Sequence, residues 1–333
     1  MNRALIDKLA DAVLFEGYIL YPYRPSVKNR QRWTFGSLFP QEYVGEASSN
    51  RTQCLIQGGP TTAVEAVVRF LHLTNRQVVR FDPPLTDWDE AAAGTPVESI
   101  RIDGRLFQSW QEAVVREVAI APCELQSLGC ESLRTFAFAG SRAFEPLRSE
   151  AGLIPAAFVR EQQPVVGSIA LSASPLRDRV FRLTVDVQNR CSDREPTNRD
   201  WALLRSLNSA HVLLGAQAGQ FTSSTDPPEE LRDLAGECRN VGLWPVLVGG
   251  EAEANLMLGA PIILPDYPRL AAESPGDLFD GTEIDEILSL RILTLTDEEK
   301  AQVAATDERA RQLLERTTSL EAERLFDLHG MMR

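Results

Sequence analysis

The sequence predicts an α+β protein, with short antiparallel strands in a mixed β-rich core and amphipathic helices at both ends. Three observations predict it. Residues 100–107 place Asp103-Gly104 between short apolar runs, and Asp-Gly suits the type I′ turn of a tight hairpin. Residues 165–174 and 180–189 both alternate in polarity around Arg177-Asp178-Arg179, the clearest hairpin signal in the chain. Leu5, Ile6, Leu9, Ala10, Val13 and Leu14 recur at helical spacing, and Thr296-Asp297-Glu298-Glu299 has the capping-box pattern that would open a closing helix over about 297–317.

The remaining elements follow in order. Residues 17–24 read as a short strand ended by proline. Residues 61–73 carry Val64, Val67 and Phe70 at helical spacing, yet their Val-Val pairs also permit a strand, and both readings stay open. Pro146, Pro155 and Pro164 suggest a boundary over 145–163, between an N-terminal α+β region (1–145) and a C-terminal one (164–333) that can also form one continuous unit. Residues 201–214 read as a helix running into a strand, and Asp226-Pro227-Pro228-Glu229 as a helix start. Residues 243–248 and 261–264 read as short buried strands. Thr282-Glu283-Ile284-Asp285 resembles another helix start, and the tail 319–333 reads as helical or loosely docked.

Composition bounds the function. At 333 residues the chain has room for roughly two domains of about 150 residues. With 44% hydrophobic and 24% charged residues it falls outside the disordered and low-complexity classes. Its net charge of −13 and pI near 4.9 argue against nucleic acid and anionic membrane as partners. Asp7, Lys8, Asp11 and Glu16 interrupt the opening segment, so no secretion signal is expected, and no stretch approaches the roughly 20 apolar residues of a membrane span. The five cysteines are odd in number and scattered, which fits a reduced protein of the cytoplasm.

Several chemistries lack their residues. Lysine occurs only at Lys8, Lys28 and Lys300, none following a glycine, so no phosphate-cradling P-loop is present. The turns Gly58-Gly59-Pro60 and Gly249-Gly250 lack the third glycine of a dinucleotide fingerprint. His72, His211 and His329 are never four apart, and Cys123 and Cys130 are too widely spaced for a structural zinc pair. No Gly-x-Ser-x-Gly elbow appears. No catalytic residue, metal ligand or cofactor is therefore assigned.

Two clusters remain. Tyr21, Tyr23, Arg24, Lys28, Asn29, Arg32 and Trp33 form a basic-aromatic segment in an acidic chain, suited to holding a partner. Asp277, Asp280, Glu283 and Asp285 belong to an acidic stretch over 273–299 opposed only by Arg291. They lack the calcium-loop pattern, and helix capping accounts for most of them. The sharper reading makes them general acids or bases around a divalent ion.

Residues 12–24, then Lys28-Asn29 and Arg32-Trp33-x-Phe35-Gly36, resemble the opening of an uncharacterised bacterial family encoded beside high-affinity, actinobacterial-type uptake [NiFe]-hydrogenases. Cys238-Arg239-Asn240, residues 244–247, 261–264 and 273–288 are similar as well, so the likeness runs from about 10 to 316. One departure stands out: Asp266-Tyr267-Pro268 replaces the Asp-His-Pro of relatives, which removes any metal ligation through that histidine. The resemblance implies a non-catalytic accessory or assembly factor, a scaffold or chaperone for a [NiFe]-hydrogenase subunit or its maturation proteins. Its acidity would suit a basic partner surface. The alternatives are a metal-dependent hydrolase or transferase using the 277–285 carboxylates, and a structural subunit of the mature hydrogenase complex.

Overall fold

The computed structural model describes residues 6–7, 9–11, 14, 36–129, 132–192, 198–250, 253–268, 292–305 and 308–318. The strands are β1 (Ser49–Leu85), β2 (Thr95–Val97), β3 (Ser99–Ile102), β4 (Arg105–Gln108), β5 (Trp110–Glu124), β6 (Ser132–Phe138) and β7 (Ser141–Leu147). They continue with β8 (Ile154–Gln162), β9 (Val165–Arg177), β10 (Val180–Asn189), β11 (Asn208–Phe221), β12 (Trp244–Leu247) and β13 (Leu256–Ala260). All but β3 and β4, which form their own pair, join an 11-stranded antiparallel sheet.

The α+β expectation with helices at both ends is therefore corrected to a mostly β protein. Its helices are short: α1 (Arg199–Leu203), α2 (Arg232–Gly236), α3 (Asp297–Ala304), α4 (Glu308–Thr318), and the helical turn at Ile6–Asp7, Leu9–Asp11 and Leu14. The closing helix expected over 297–317 ends its first part at Ala304. Thr296 and Glu299 do form the reciprocal capping box there.

β1 is the reason for the correction. Its 37 residues would span about 120 Å if straight. It pairs with β10 along 49–57, β11 along 56–71, β5 along 63–76 and β8 along 75–85. Residues 66–74 are buried without a break, so the period-two alternation that marks a half-exposed strand is absent there. The open choice over 61–73 resolves to strand.

The register with β11 slips between Gly58 and Ala63. A Cβ on Gly58 would come within 2.3 Å of the Thr62 hydroxyl, and one on its neighbour Gly219 within 2.6 Å of the Thr62 methyl. The bulge folds over a surface that only a glycine pair leaves open, and the Thr62 hydroxyl closes it by donating to the Ala218 carbonyl at 2.8 Å.

Strands at both ends of the sheet feed one core, so the sheet curls over itself. Leu247 from β12, Met257 from β13 and Phe136 and Phe138 from β6 share it with Phe70 of β1. Phe70 meets the Phe136 and Phe138 rings at 5.9 and 5.8 Å. On the outer face, Val67, Leu213 and Leu258 bury Ile6, Leu9 and Ala10 of the N-terminal turn. Arg69 holds that turn through Asp11 at 2.7 Å and reaches Glu117 of β5 at 3.0 Å.

Both hairpins form where the sequence places them. Asp103 (φ 49°) and Gly104 (φ 80°) take the two left-handed positions of a type I′ turn, and Arg179 (φ 55°) closes β9–β10. The proline-bearing stretch 145–163 becomes β7 and β8 of the same large sheet. Pro146 sits on edge strand β7, and Pro155 at the register break opposite residues 80–85, where no ladder donor is needed. Residues 261–264 are not a strand; Pro261 ends β13 instead. The expected elements at 17–24, 282–285 and 319–333 lie outside the described residues.

Truncating the shared core should be costly. Phe70→Ala is expected to lower unfolding free energy by about 3–5 kcal/mol. Denaturant titration at neutral pH measures it; a change below about 1 kcal/mol would mean that Phe70 does not join the two ends of the sheet.

Candidate functional site

Neither residue cluster singled out in the sequence falls within the described residues: Tyr21, Tyr23, Arg24, Lys28, Asn29, Arg32 and Trp33 lie in 15–35, and Asp277, Asp280, Glu283 and Asp285 in 269–291. Asp266-Tyr267 is described and acts as a loop lock. One Asp266 carboxylate oxygen accepts from the Ser223 and Thr225 hydroxyls, and the other from the Leu247 N–H at 2.7 Å. The Tyr267 N–H then donates to the Leu247 carbonyl at 2.7 Å, and its ring packs against the core.

The structure instead assembles a second basic site that no single stretch of sequence announces. A cleft of about 980 Å³ opens between β4, the edge strand β7 and the helices α3 and α4. Six arginines line it: Arg76, Arg101, Arg105, Arg148, Arg160 and Arg311. They come from six separate elements and loops, and the intervals between them range from 4 to 151 residues, so no local pattern predicts them.

Arg76 forms the floor. It is 6% exposed and projects from the buried face of β1. One terminal nitrogen donates to Glu112 at 2.9 Å. The other donates to the carbonyls of Gln108 at 3.1 Å and Ala305 at 2.8 Å. The Ala305 carbonyl belongs to the C-terminal end of α3, where helix carbonyls lack partners and a cation is favoured. Gln108 adds a hydrogen bond to the Gln302 carbonyl at 2.9 Å, so two strand residues fasten the helical wall.

Arg160 stands beside it. Its guanidinium donates to Glu112 at 2.8 Å and to Glu145 at 2.6 Å. Burial works against the Arg160 charge, but the two carboxylates outweigh it and raise its pKa. Both guanidiniums stack on Phe158, Arg76 at 4.5 Å and Arg160 at 5.3 Å from the ring centroid. Phe107 meets Phe158 edge-on at 5.9 Å and carries Arg105 at 5.1 Å over its own ring.

The upper walls are braced by short contacts. Arg101 pairs with Glu298 of α3 and donates to the Gly104 carbonyl. The Asp103 carboxylate accepts the Glu150 N–H at 2.7 Å, tying the β3–β4 turn to the β7–β8 loop. Arg148 donates to the Gly152 carbonyl at 3.2 Å in that same loop.

The reactive side chains elsewhere serve the fold. Among the described residues no group of three or more His, Cys, Asp or Glu is placed to hold a metal ion. Cys54, Cys123, Cys191 and Cys238 are free thiols, and burial pushes Cys54 and Cys238 up, away from the reactive thiolate. Among the described residues no helix is long and apolar enough to cross a membrane. His72 donates through Nε2 to the Gln163 carbonyl at 2.8 Å, and burial lowers its pKa.

His211 donates through Nδ1 to the Ser209 carbonyl at 2.9 Å, which leaves Nε2 unprotonated in the core. Burial, with Arg69 nearby, lowers its pKa to about 4. The unfolded chain therefore binds the extra proton first as pH falls, and stability is lost between about pH 6.5 and 4. The His211 share is roughly 3 kcal/mol. Denaturation of native and His211→Gln protein at pH 7 and 4.5 should show a smaller acid loss in the variant; equal losses would clear His211 of the effect.

Compared with known proteins, the chain matches no protein-family model and no curated sequence.

Proposed function

We propose that the chain is a non-catalytic binding protein, an accessory or assembly factor that acts as scaffold or chaperone for a [NiFe]-hydrogenase subunit or its maturation proteins. The arginine-lined cleft is the observation that carries the binding half of this reading. Among the described residues its charged groups are guanidiniums and carboxylates already paired with them, an arrangement that grips an anion but offers no free base or nucleophile there. The floor is held by buried hydrogen bonds to two strands and a helix, so its donors are preorganised rather than gathered on binding.

The hydrogenase half rests on the sequence resemblance alone. The basic-aromatic segment with Arg24 and Arg32 is its proposed contact with the protein partner, and a reduced, cytoplasmic setting is its proposed compartment.

Affinity capture of the tagged chain from its own host, grown while oxidising hydrogen, tests both halves. Hydrogenase subunits or maturation proteins should be recovered, and Arg24→Glu with Arg32→Glu should reduce recovery at least about fivefold without lowering the melting temperature. Recovery of the chain alone while hydrogenase is expressed would overturn the assembly reading. Undiminished capture by the folded double variant would remove the basic-aromatic segment from the contact.

A further inference from the structure

The charges of the cleft do not cancel. Glu112 and Glu145 answer Arg76 and Arg160, Glu298 answers Arg101, and Glu315 answers Arg311 at 3.5 Å. Arg105 and Arg148 are left over. Neither is paired with a carboxylate among the described residues, and both are exposed to solvent in segments that the Asp103–Glu150 hydrogen bond joins, Arg105 on β4 and Arg148 just past the end of β7.

We propose that the cleft binds a compact polyanion of the diphosphate or triphosphate class, held by Arg105 and Arg148. This deepens the reading of the cleft as a binding site and is independent of which protein the chain assists.

Three features select that class. The first is charge density. A ligand must compete with Glu112 and Glu145 for the guanidinium edges of the floor. A single carboxylate brings one charge, as those residues do, whereas a phosphate brings up to two and three acceptor oxygens. Planar guanidinium forks match phosphate oxygens two at a time.

The second is the state of the aromatic rings. Phe158 already carries two guanidiniums and Phe107 one, so the cleft recognises its ligand by charge and places little demand on a ring system. The third is shape. At about 980 Å³ the cleft falls at the upper end of the small-molecule range, roughly 300–1,000 Å³. Its β7 wall carries Pro146, which lacks an N–H and cannot register an extended peptide as an added strand.

The net charge of −13 limits the length of the ligand rather than its sign. A long polyanion would run out over acidic surface, while a short one stays within the local positive field.

Calorimetric titration of the full chain at low ionic strength tests the proposal, with inorganic pyrophosphate, metal-free ATP and a tetraglutamate peptide as probes. Pyrophosphate or ATP should bind saturably at one site per chain. Arg105→Gln with Arg148→Gln should weaken that binding at least about tenfold, equivalent to about 1.4 kcal/mol. The control, Arg177→Gln with Arg179→Gln, alters a separate cleft where Asp178 and Glu253 balance the two arginines, and should leave binding unchanged. If the double variant fails to fold, Arg148→Lys, which keeps the charge but loses the fork, should still weaken binding measurably.

Absence of saturable binding overturns the proposal, as does binding indifferent to Arg105 and Arg148. Tetraglutamate binding as tightly as pyrophosphate would assign the cleft to acidic peptide instead and overturn the phosphate class. Partner capture without phosphate binding would sink this proposal alone; phosphate binding without partner capture would sink only the assembly reading.

Discussion

The architecture depends on the need to satisfy both edges of one very long strand. β1 presents backbone donors and acceptors along 37 residues, and most of them are buried where water cannot serve. No single neighbour is long enough to cover either edge. β10 and β11 serve its first half, β5 and β11 its middle, and β8 its end. The change from β10 to β5 spans the register slip at 58–63, and the change from β11 to β8 follows the slip at 69–71; the sheet curls until β6 and β12 share a core.

The same constraint places the cleft. Where β1 leaves β11, near residue 72, its inward-facing positions pass from apolar to polar: Phe70 is followed by His72, Thr74 and Arg76. A buried guanidinium is tolerable only when its hydrogen bonds are matched, because removing a charge from water costs several kcal/mol. Glu112, the Gln108 carbonyl and the α3 terminus provide that match. Satisfying Arg76 thus anchors a helix to the sheet and sets Glu112 where it can also hold Arg160. The cleft floor follows from solving a burial problem in β1, and its orientation owes little to the flexible ends of its other arginines.

How much of this was readable in the sequence varies with how local the cause is. The two hairpins were legible, since Asp103-Gly104 and the 165–189 alternation are set by neighbouring residues. So were α1 running into β11, with Asn198 capping Trp201 at 2.8 Å, and the capping box at Thr296. β1 was not, because a strand buried on both faces shows no alternation, and its Val64, Val67 and Phe70 also fit a helical face. The cleft was illegible for a different reason. Arg76, Arg105, Arg148 and Arg311 are far apart in sequence and meet only through strand pairing and the docking of helices on the sheet, whereas the basic-aromatic segment caught attention because its charges are adjacent. One signal was available: with only three lysines, nearly every cation is a guanidinium, the group suited to buried pairs and planar anions.

Net charge therefore needs to be read at the scale on which charges act. At physiological ionic strength the field of an exposed charge decays over about 8 Å. The 47 acids and 34 basic residues of this chain set its solubility and its encounters with other macromolecules, yet a group seated among six arginines feels mainly those six and the carboxylates paired with them. An acidic exterior with a basic recess is then no contradiction. The exterior discourages extended polyanions by long-range repulsion, and the recess admits only anions small enough to leave that repulsion behind. Selection by size arises here from the distribution of charge rather than from a steric gate.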